Sequence, residues 1–192
     1  MTGRRLTVAA VVVALVQIGF LSWTIHSRAA LLRNGQDVLL RTQPVNPRDL
    51  LRGDYVALRY DISRLPVTLV QTERVRDSEV IGTVYVRLRK GEGDAPATAV
   101  AVGLGAPVAQ PLRAGEMDIR GESLSRWQTG VDTINVVYGL ERFYLPEGEG
   151  RAIERAVTER SFTMLVAVGE TGQAQIKSLF DHGQAIYQEP LY

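Results

Sequence analysis

The chain has 192 residues, a formal net charge of +1, 45% apolar residues and no cysteine. This length allows one ordinary domain with an appendage, and the apolar share is typical of a globular chain. The near-zero charge gives no electrostatic reason to expect a nucleic-acid partner. The lack of cysteine excludes disulfides, thiol catalysis and cysteine-based metal sites.

An uncharged, mainly apolar stretch runs from Leu6 to Ile25. About 20 helical residues measure roughly 30 Å, which matches the hydrocarbon thickness of a bilayer. Trp23 suits the interface at the far end of such a helix. The stretch is longer than the apolar region of a signal peptide and has no clear small-x-small cleavage site. We therefore expect a retained signal-anchor helix that contacts the lipid bilayer in the inner, cytoplasmic membrane.

The arginines that flank this stretch decide its expected orientation. Arg4 and Arg5 precede it, whereas Arg28 and Arg33 follow it, so the positive-inside comparison is nearly balanced. A very short basic N-terminus favours a cytoplasmic start, which places the rest of the chain outside the cytoplasm, in the periplasm.

The expected organisation has three parts. Residues 1–28 form a cytoplasmic tip and the transmembrane helix, residues 29–36 a helical extension or linker, and residues 37–192 one extracytoplasmic β-rich domain.

Alternating apolar and polar residues dominate this last part and predict β-strands. The expected strands cover residues 37–43, about 54–62, 80–89, 97–104, 117–121, 132–138, 163–168, 174–180 and 184–187. A turn or short helical twist is expected at 61–66, and one helix at 151–159. The predicted fold is mainly β (α+β): an antiparallel β-sandwich or barrel-like domain with one short helix.

Residues 53–60 read Gly-Asp-Tyr-Val-Ala-Leu-Arg-Tyr and follow a proline-rich turn. This stretch resembles the signature of a bacterial family of membrane-anchored proteins named for the pattern G-D-Y-x-x-L-x-Y, and every fixed position matches. A second block, residues 138–150, is similar to another stretch of these proteins. The resemblance implies membrane anchoring and a β-rich domain. Because the family's genes often lie beside those of multi-span membrane proteins, it also implies a partner of that kind, but no reaction.

The candidate binding residues come from these two blocks and their surroundings. They are Arg48, Asp54, Tyr55, Tyr60, Arg142, Tyr144, Glu147 and Glu149. On a regular strand, Tyr55 and Tyr60 face opposite sides, so one is expected in the core and the other is free to cover a groove. Any direct function of the signature then depends on the second block meeting it in space.

Catalysis, metal binding and cofactor binding have little support in the sequence. Asp54 suits hydrogen bonding within its turn better than general-base catalysis, and Glu147 and Glu149 suit the start of a helix. Neither His26 nor His182 has a second histidine at ligand spacing. We therefore predict no catalytic residue, no metal and no cofactor.

Three functional hypotheses remain. The first is a non-enzymatic, membrane-anchored domain that acts as an accessory or interaction subunit of a polytopic membrane protein. The alternative is a small-ligand binding or sensing domain of the cell envelope, with a groove walled by Tyr55 or Tyr60. A carboxylate-dependent hydrolase that uses Asp54 with Glu147 or Glu149 ranks third.

Overall fold

The computed structural model describes residues 2–43, 55–71, 82–123, 132–144 and 161–189. Within these ranges the chain forms one long N-terminal helix, twelve β-strands and two single-turn 3₁₀ helices. The helix expected at 151–159 lies outside the described residues.

The N-terminal helix, α1, spans Thr2–Asn34. Among the described residues it is the one helix long and apolar enough to cross a membrane, over Leu6–Asn34, and its apolar window is not buried against the rest of the chain. Residues 29–34, expected as a helical extension or linker, form its last turns.

Two five-stranded sheets, in which neighbouring strands are antiparallel, make up most of the rest. The first sheet contains β1 (Gln36–Gln43), β3 (Arg59–Tyr60), β10 (Thr163–Val168), β11 (Ala174–Asp181) and β12 (Gln184–Gln188), in the order β12-β11-β10-β1-β3. The second contains β4 (Arg64–Pro66), β5 (Gly82–Arg89), β6 (Thr98–Leu104), β7 (Glu116–Ser123) and β8 (Thr133–Val137), in the order β4-β8-β7-β5-β6. Two further strands, β2 (Tyr55–Ala57) and β9 (Arg142–Tyr144), pair separately.

Side-chain alternation places one face of each sheet in a shared core. Val38 and Leu40 of β1 are buried, as are Val84, Val86 and Leu88 of β5, and one continuous apolar cluster includes all five. The prediction of a mainly β, antiparallel fold is confirmed.

The segment from β2 to β4 connects the two sheets. The strand expected at about 54–62 is divided in two at Leu58. The Leu58 N–H donates to the Glu141 carbonyl oxygen at 2.8 Å and so extends the β2–β9 pairing by one residue, after which the chain changes its pairing partner. β3 then pairs with β1 of the first sheet, and a 3₁₀ turn at Asp61–Ser63 leads into β4 of the second. The signature therefore ends at a corner between the sheets. The turn or short helical twist expected at 61–66 is confirmed at Asp61–Ser63, whereas Arg64–Pro66 forms strand β4.

Candidate functional site

The signature and the second block meet as neighbouring strands. β2 and β9 are antiparallel, with Tyr55 opposite Tyr144, Val56 opposite Phe143, and Ala57 opposite Arg142. The two blocks therefore meet in space through backbone pairing, which is the condition for a direct function of the signature.

Two buried tyrosines then donate hydrogen bonds to backbone carbonyl groups across this junction. Tyr60 of the signature donates its hydroxyl to the Leu140 carbonyl oxygen at 2.8 Å. Tyr138 of the second block donates its hydroxyl to the Ile62 carbonyl oxygen at 2.6 Å. Tyr60 therefore donates to a carbonyl of the second block, and Tyr138 donates to a carbonyl two residues beyond the signature. We call Tyr60 and Tyr138 the tyrosine pair.

The environment of the tyrosine pair keeps both hydroxyls protonated. Tyr60 is 0% exposed and Tyr138 is 8% exposed. Burial raises the pKa of both phenols well above the ordinary value, and the nearby Glu141 carboxylate raises it further. Neutral phenols serve here as hydrogen-bond donors, not as general bases.

Glu141 shapes the turn that presents these carbonyl groups. Its Oε1 accepts the Tyr138 N–H at 2.6 Å, while Gly139 adopts a positive φ of 77°. A side-chain acceptor three residues on, together with a glycine in the left-handed region, closes a tight turn. Sequence reasoning did not identify Tyr138 as the counterpart of Tyr60.

The eight candidate binding residues fall into three groups. Tyr60 is a core residue, as expected for one of the two signature tyrosines, and a binding role would require its hydroxyl to leave Leu140. Arg142 is exposed on β9, and the backbones of Tyr55 and Tyr144 form a pair in the β2–β9 ladder. The remaining four lie outside the described residues: Arg48, Asp54, Glu147 and Glu149. A binding role for this set stays a prediction.

A larger groove lies where the last turns of α1 meet the sheets. Its volume is about 810 Å³. The last turns of α1, the β6–β7 loop at 105–115 and the β10–β11 turn at 169–173 contribute to its walls. Leu112, in the loop wall, is 52% exposed. We call this space the helix-base groove.

Arg87 holds the loop wall of the helix-base groove in place. Its guanidinium, in a side chain only 5% exposed, pairs with Asp118 at 2.8 Å. It also donates to the Gln110 carbonyl oxygen at 2.6 Å and to the Val108 carbonyl oxygen at 3.1 Å. The hydrogen bond to Asp118 raises the pKa of Arg87, although burial opposes that shift. Asp118 is therefore engaged with a guanidinium and is not a free base at the groove.

A second depression, of about 440 Å³, adjoins the tyrosine pair. Tyr138 and Gly139 line it together with Arg120 and Glu122 of β7. Among the described residues, no group of three histidine, cysteine, aspartate or glutamate side chains could hold a metal ion. The described residues thus form both of these depressions and the hydrogen-bonded junction.

Comparison with protein families gives one match. The sequence model of the GDYXXLXY protein family matches residues 17–179, which covers most of the chain, from within α1 to within β11. No curated protein and no solved structure matches the chain.

Proposed function

We propose, because the chain belongs to the GDYXXLXY protein family, that it is a single-pass membrane protein whose β-domain acts as an accessory or interaction subunit of a multi-span membrane protein. In this proposal the N-terminus is cytoplasmic and the β-domain lies on the periplasmic side of the inner membrane. The single observation that carries the proposal is the exposed apolar helix and the way it enters the domain.

The surface of α1 suits lipid or another transmembrane helix better than water. Large apolar side chains are exposed along its length, including Leu15 at 63%, Val16 at 66% and Trp23 at 73%. Soluble monomers rarely expose a contiguous apolar surface of this extent. A helix of this length and composition fits the bilayer core.

The attachment of α1 to the domain is short and packed. The helix ends at Asn34 and β1 begins at Gln36. Leu32 is only 4% exposed, and Gly35 donates its N–H to the Leu31 carbonyl oxygen at 2.9 Å. A Cβ on Gly35 would lie 2.6 Å from that oxygen and 3.0 Å from the Ala167 Cβ. This packing supports a domain held in one orientation above the membrane, which suits a subunit that presents one face to a neighbour.

Cysteine labelling tests the membrane topology, because the chain has no cysteine of its own. Gly3→Cys and Asp94→Cys place single thiols at exposed positions on opposite sides of the apolar stretch. In intact cells, a membrane-impermeant maleimide should reach position 94, whereas position 3 should react only after lysis. The reverse result would invert the orientation, and labelling of both positions would contradict a spanning helix.

Photocrosslinking in living cells tests the partner. A photoreactive amino acid at Leu112, on the rim of the helix-base groove, should capture a multi-span protein that co-purifies after detergent extraction. The same amino acid at Asp94, in the β5–β6 turn, serves as the matched control and should capture much less. Repeated recovery of the chain alone from both positions would contradict the accessory-subunit proposal.

A second candidate function, binding of a small molecule of the cell envelope, is favoured by the helix-base groove. Its volume lies within the range of ligand pockets. A thermal-shift screen of the full chain in detergent should give a stabilising compound. Thr171→Trp, at an exposed position of the groove wall, should abolish the shift while leaving the unliganded melting temperature nearly unchanged. A screen without any hit, or a shift that persists in Thr171→Trp, would contradict this candidate.

A further inference from the structure

Gln17 places an amide close to the middle of the apolar stretch. At about 1.5 Å per helical residue, it lies roughly 2 Å along the helix axis from the midpoint of residues 6–25. The other polar side chains of this stretch, Thr7, Ser22 and Thr24, lie nearer its two ends. Gln17 is therefore the polar residue that a bilayer would separate most completely from water.

The hydrogen-bonding state of Gln17 differs from that of the two threonines. Thr7 donates its hydroxyl to the Gly3 carbonyl oxygen at 3.1 Å, and Thr24 donates to the Phe20 carbonyl oxygen at 2.9 Å. Within the described part of the chain, the Gln17 amide has no hydrogen-bond partner and is exposed. An amide has donors and an acceptor, and leaving them unpaired in hydrocarbon is unfavourable.

The residues that share a helix face with Gln17 permit close approach of a second helix. Ala10 and Ala14 precede it and Leu21 and Thr24 follow it, at alternating spacings of four and three residues. This is the spacing of a seam between two helices, and small side chains at such a seam bring the backbones together.

We propose that Gln17 hydrogen-bonds with Gln17 of a second copy of this chain, so that α1 forms a parallel dimer in the membrane. The inference rests on the membrane-crossing part of the proposed function. Two-fold symmetry places identical residues at the same depth, and an amide is self-complementary because each copy donates to the carbonyl oxygen of the other. A second copy thus supplies a hydrogen-bonding amide at the same depth in the membrane as Gln17.

Disulfide crosslinking in native membranes tests this dimer with the full chain. Ala14→Cys lies on the proposed seam, whereas Leu15→Cys lies at nearly the same depth on the opposite side of the helix. Oxidation should join two chains through position 14 at least several-fold more efficiently than through position 15. Equal crosslinking at both positions, or none at position 14, would overturn the inference.

Substitution of the amide completes the test. Gln17→Leu in the Ala14→Cys background should lower the association constant roughly threefold to twentyfold, the range that a hydrogen bond between transmembrane helices supports. Gln17→Asn keeps an amide and should retain most of the crosslinking. Unchanged crosslinking in Gln17→Leu would refute the role of the amide. A crosslinked product of a different mass would mean that the partner is another membrane protein and not a second copy. Correct topology labelling without any crosslink would support the spanning helix but contradict the dimer.

Discussion

The contacts of Tyr60 and Tyr138 give a structural reason for a tyrosine at the last position of the signature. Each ring is buried in the core, and each hydroxyl donates to a backbone carbonyl group across the junction. Phenylalanine would fill the same volume but would leave that carbonyl oxygen without this donor. The signature tyrosine at position 60 is thus part of a packed junction, not an exposed recognition residue.

Removing one hydroxyl should lower the stability of the domain. Tyr60→Phe or Tyr138→Phe is expected to reduce the free energy of unfolding by about 1–2 kcal/mol, because a buried carbonyl oxygen loses its donor. Urea unfolding of the full chain in detergent measures the change. Tyr85→Phe is the matched control, since the Tyr85 hydroxyl has no hydrogen bond within the described residues, and it should stay within about 0.5 kcal/mol of wild type. Equal losses in all three variants would contradict the exchange of hydrogen bonds.

The same tyrosines predict a loss of stability in alkaline solution. Burial raises the pKa of Tyr60 and Tyr138 in the folded state, whereas an unfolded tyrosine ionises near pH 10. Above that pH the unfolded state releases protons that the folded state retains, so stability falls by about 1.4 kcal/mol per pH unit for each buried tyrosine. Below about pH 10 the tyrosines are protonated in both the folded and the unfolded state, so their ionisation does not reduce the stability of the domain.

Comparison with a variant isolates this effect from other titrating groups. From about pH 10 to 12, the free energy of unfolding of Tyr60→Phe should fall less steeply than that of wild type, by about 1.4 kcal/mol per pH unit. Urea unfolding across this pH range provides the measurement. Parallel pH profiles for the two proteins would show that Tyr60 ionises equally in both states and would contradict its buried, protonated form.

At the scale of elements, Arg87 joins strand β5 to the β6–β7 loop. Its guanidinium meets Asp118 of the neighbouring strand and two loop carbonyl groups. Arg89, two residues further along β5, pairs with Glu116 at 2.8 Å, but its side chain is 52% exposed. The two arginines therefore allow a comparison of a buried and an exposed guanidinium on one strand, each paired with a mostly buried carboxylate.

Replacing Arg87 should destabilise the domain much more than replacing Arg89. Arg87→Leu leaves Asp118, only 14% exposed, without its buried partner and is expected to cost about 3–5 kcal/mol. Hydrogen exchange should accelerate across residues 105–114, because their carbonyl groups lose a donor. Arg89→Leu should cause a smaller loss, because water reaches the Arg89 guanidinium and the buried Glu116 carboxylate keeps the Arg113 N–H as a donor. Similar losses in both variants, without faster exchange in the loop, would contradict the bracing role of Arg87.

The sequence predicted most strands because alternation over six to eight residues is a strong local signal. β1, β5 and β10 all lie close to their expected positions. β4 and β9 were not predicted, since three residues are too few to establish a period of two. The division of the signature strand at Leu58 accompanies a change of pairing partner from β9 to β1, which no pattern within residues 54–62 specifies.

The site was predictable only in part, because it depends on contacts between segments that are distant in sequence. A direct function of the signature required residues 138–150 to meet it in space, and β2 pairs with β9. The hydrogen bonds from Tyr60 to Leu140 and from Tyr138 to Ile62 depend on the turn at Gly139, and no local sequence pattern specifies the geometry of that turn. The helix-base groove combines three segments far apart in sequence, so only the folded chain reveals it.

At the scale of the whole molecule, α1 belongs both to the membrane anchor and to the β-domain. Leu32 is buried against the sheets although it lies in the same helix as the exposed apolar residues. Gly172, in the β10–β11 turn next to this region, packs against β7, and its carbonyl oxygen accepts the Arg120 N–H at 2.8 Å. The end of the helix is therefore surrounded by parts of the domain that themselves connect the two sheets.

Truncation tests whether the structural domain begins inside the helix. A chain of residues 26–192 retains the last turns of α1, whereas a chain of residues 36–192 lacks Leu32. We expect the shorter chain to be less stable by about 1.5–3 kcal/mol, the contribution of fully burying one leucine side chain. Urea unfolding of both chains measures the difference, and Leu32→Ala in the longer chain should reproduce much of it. Equal stability of the two chains would mean that the sheets hold together without the helix, and the orientation of the domain above the membrane would then need another cause.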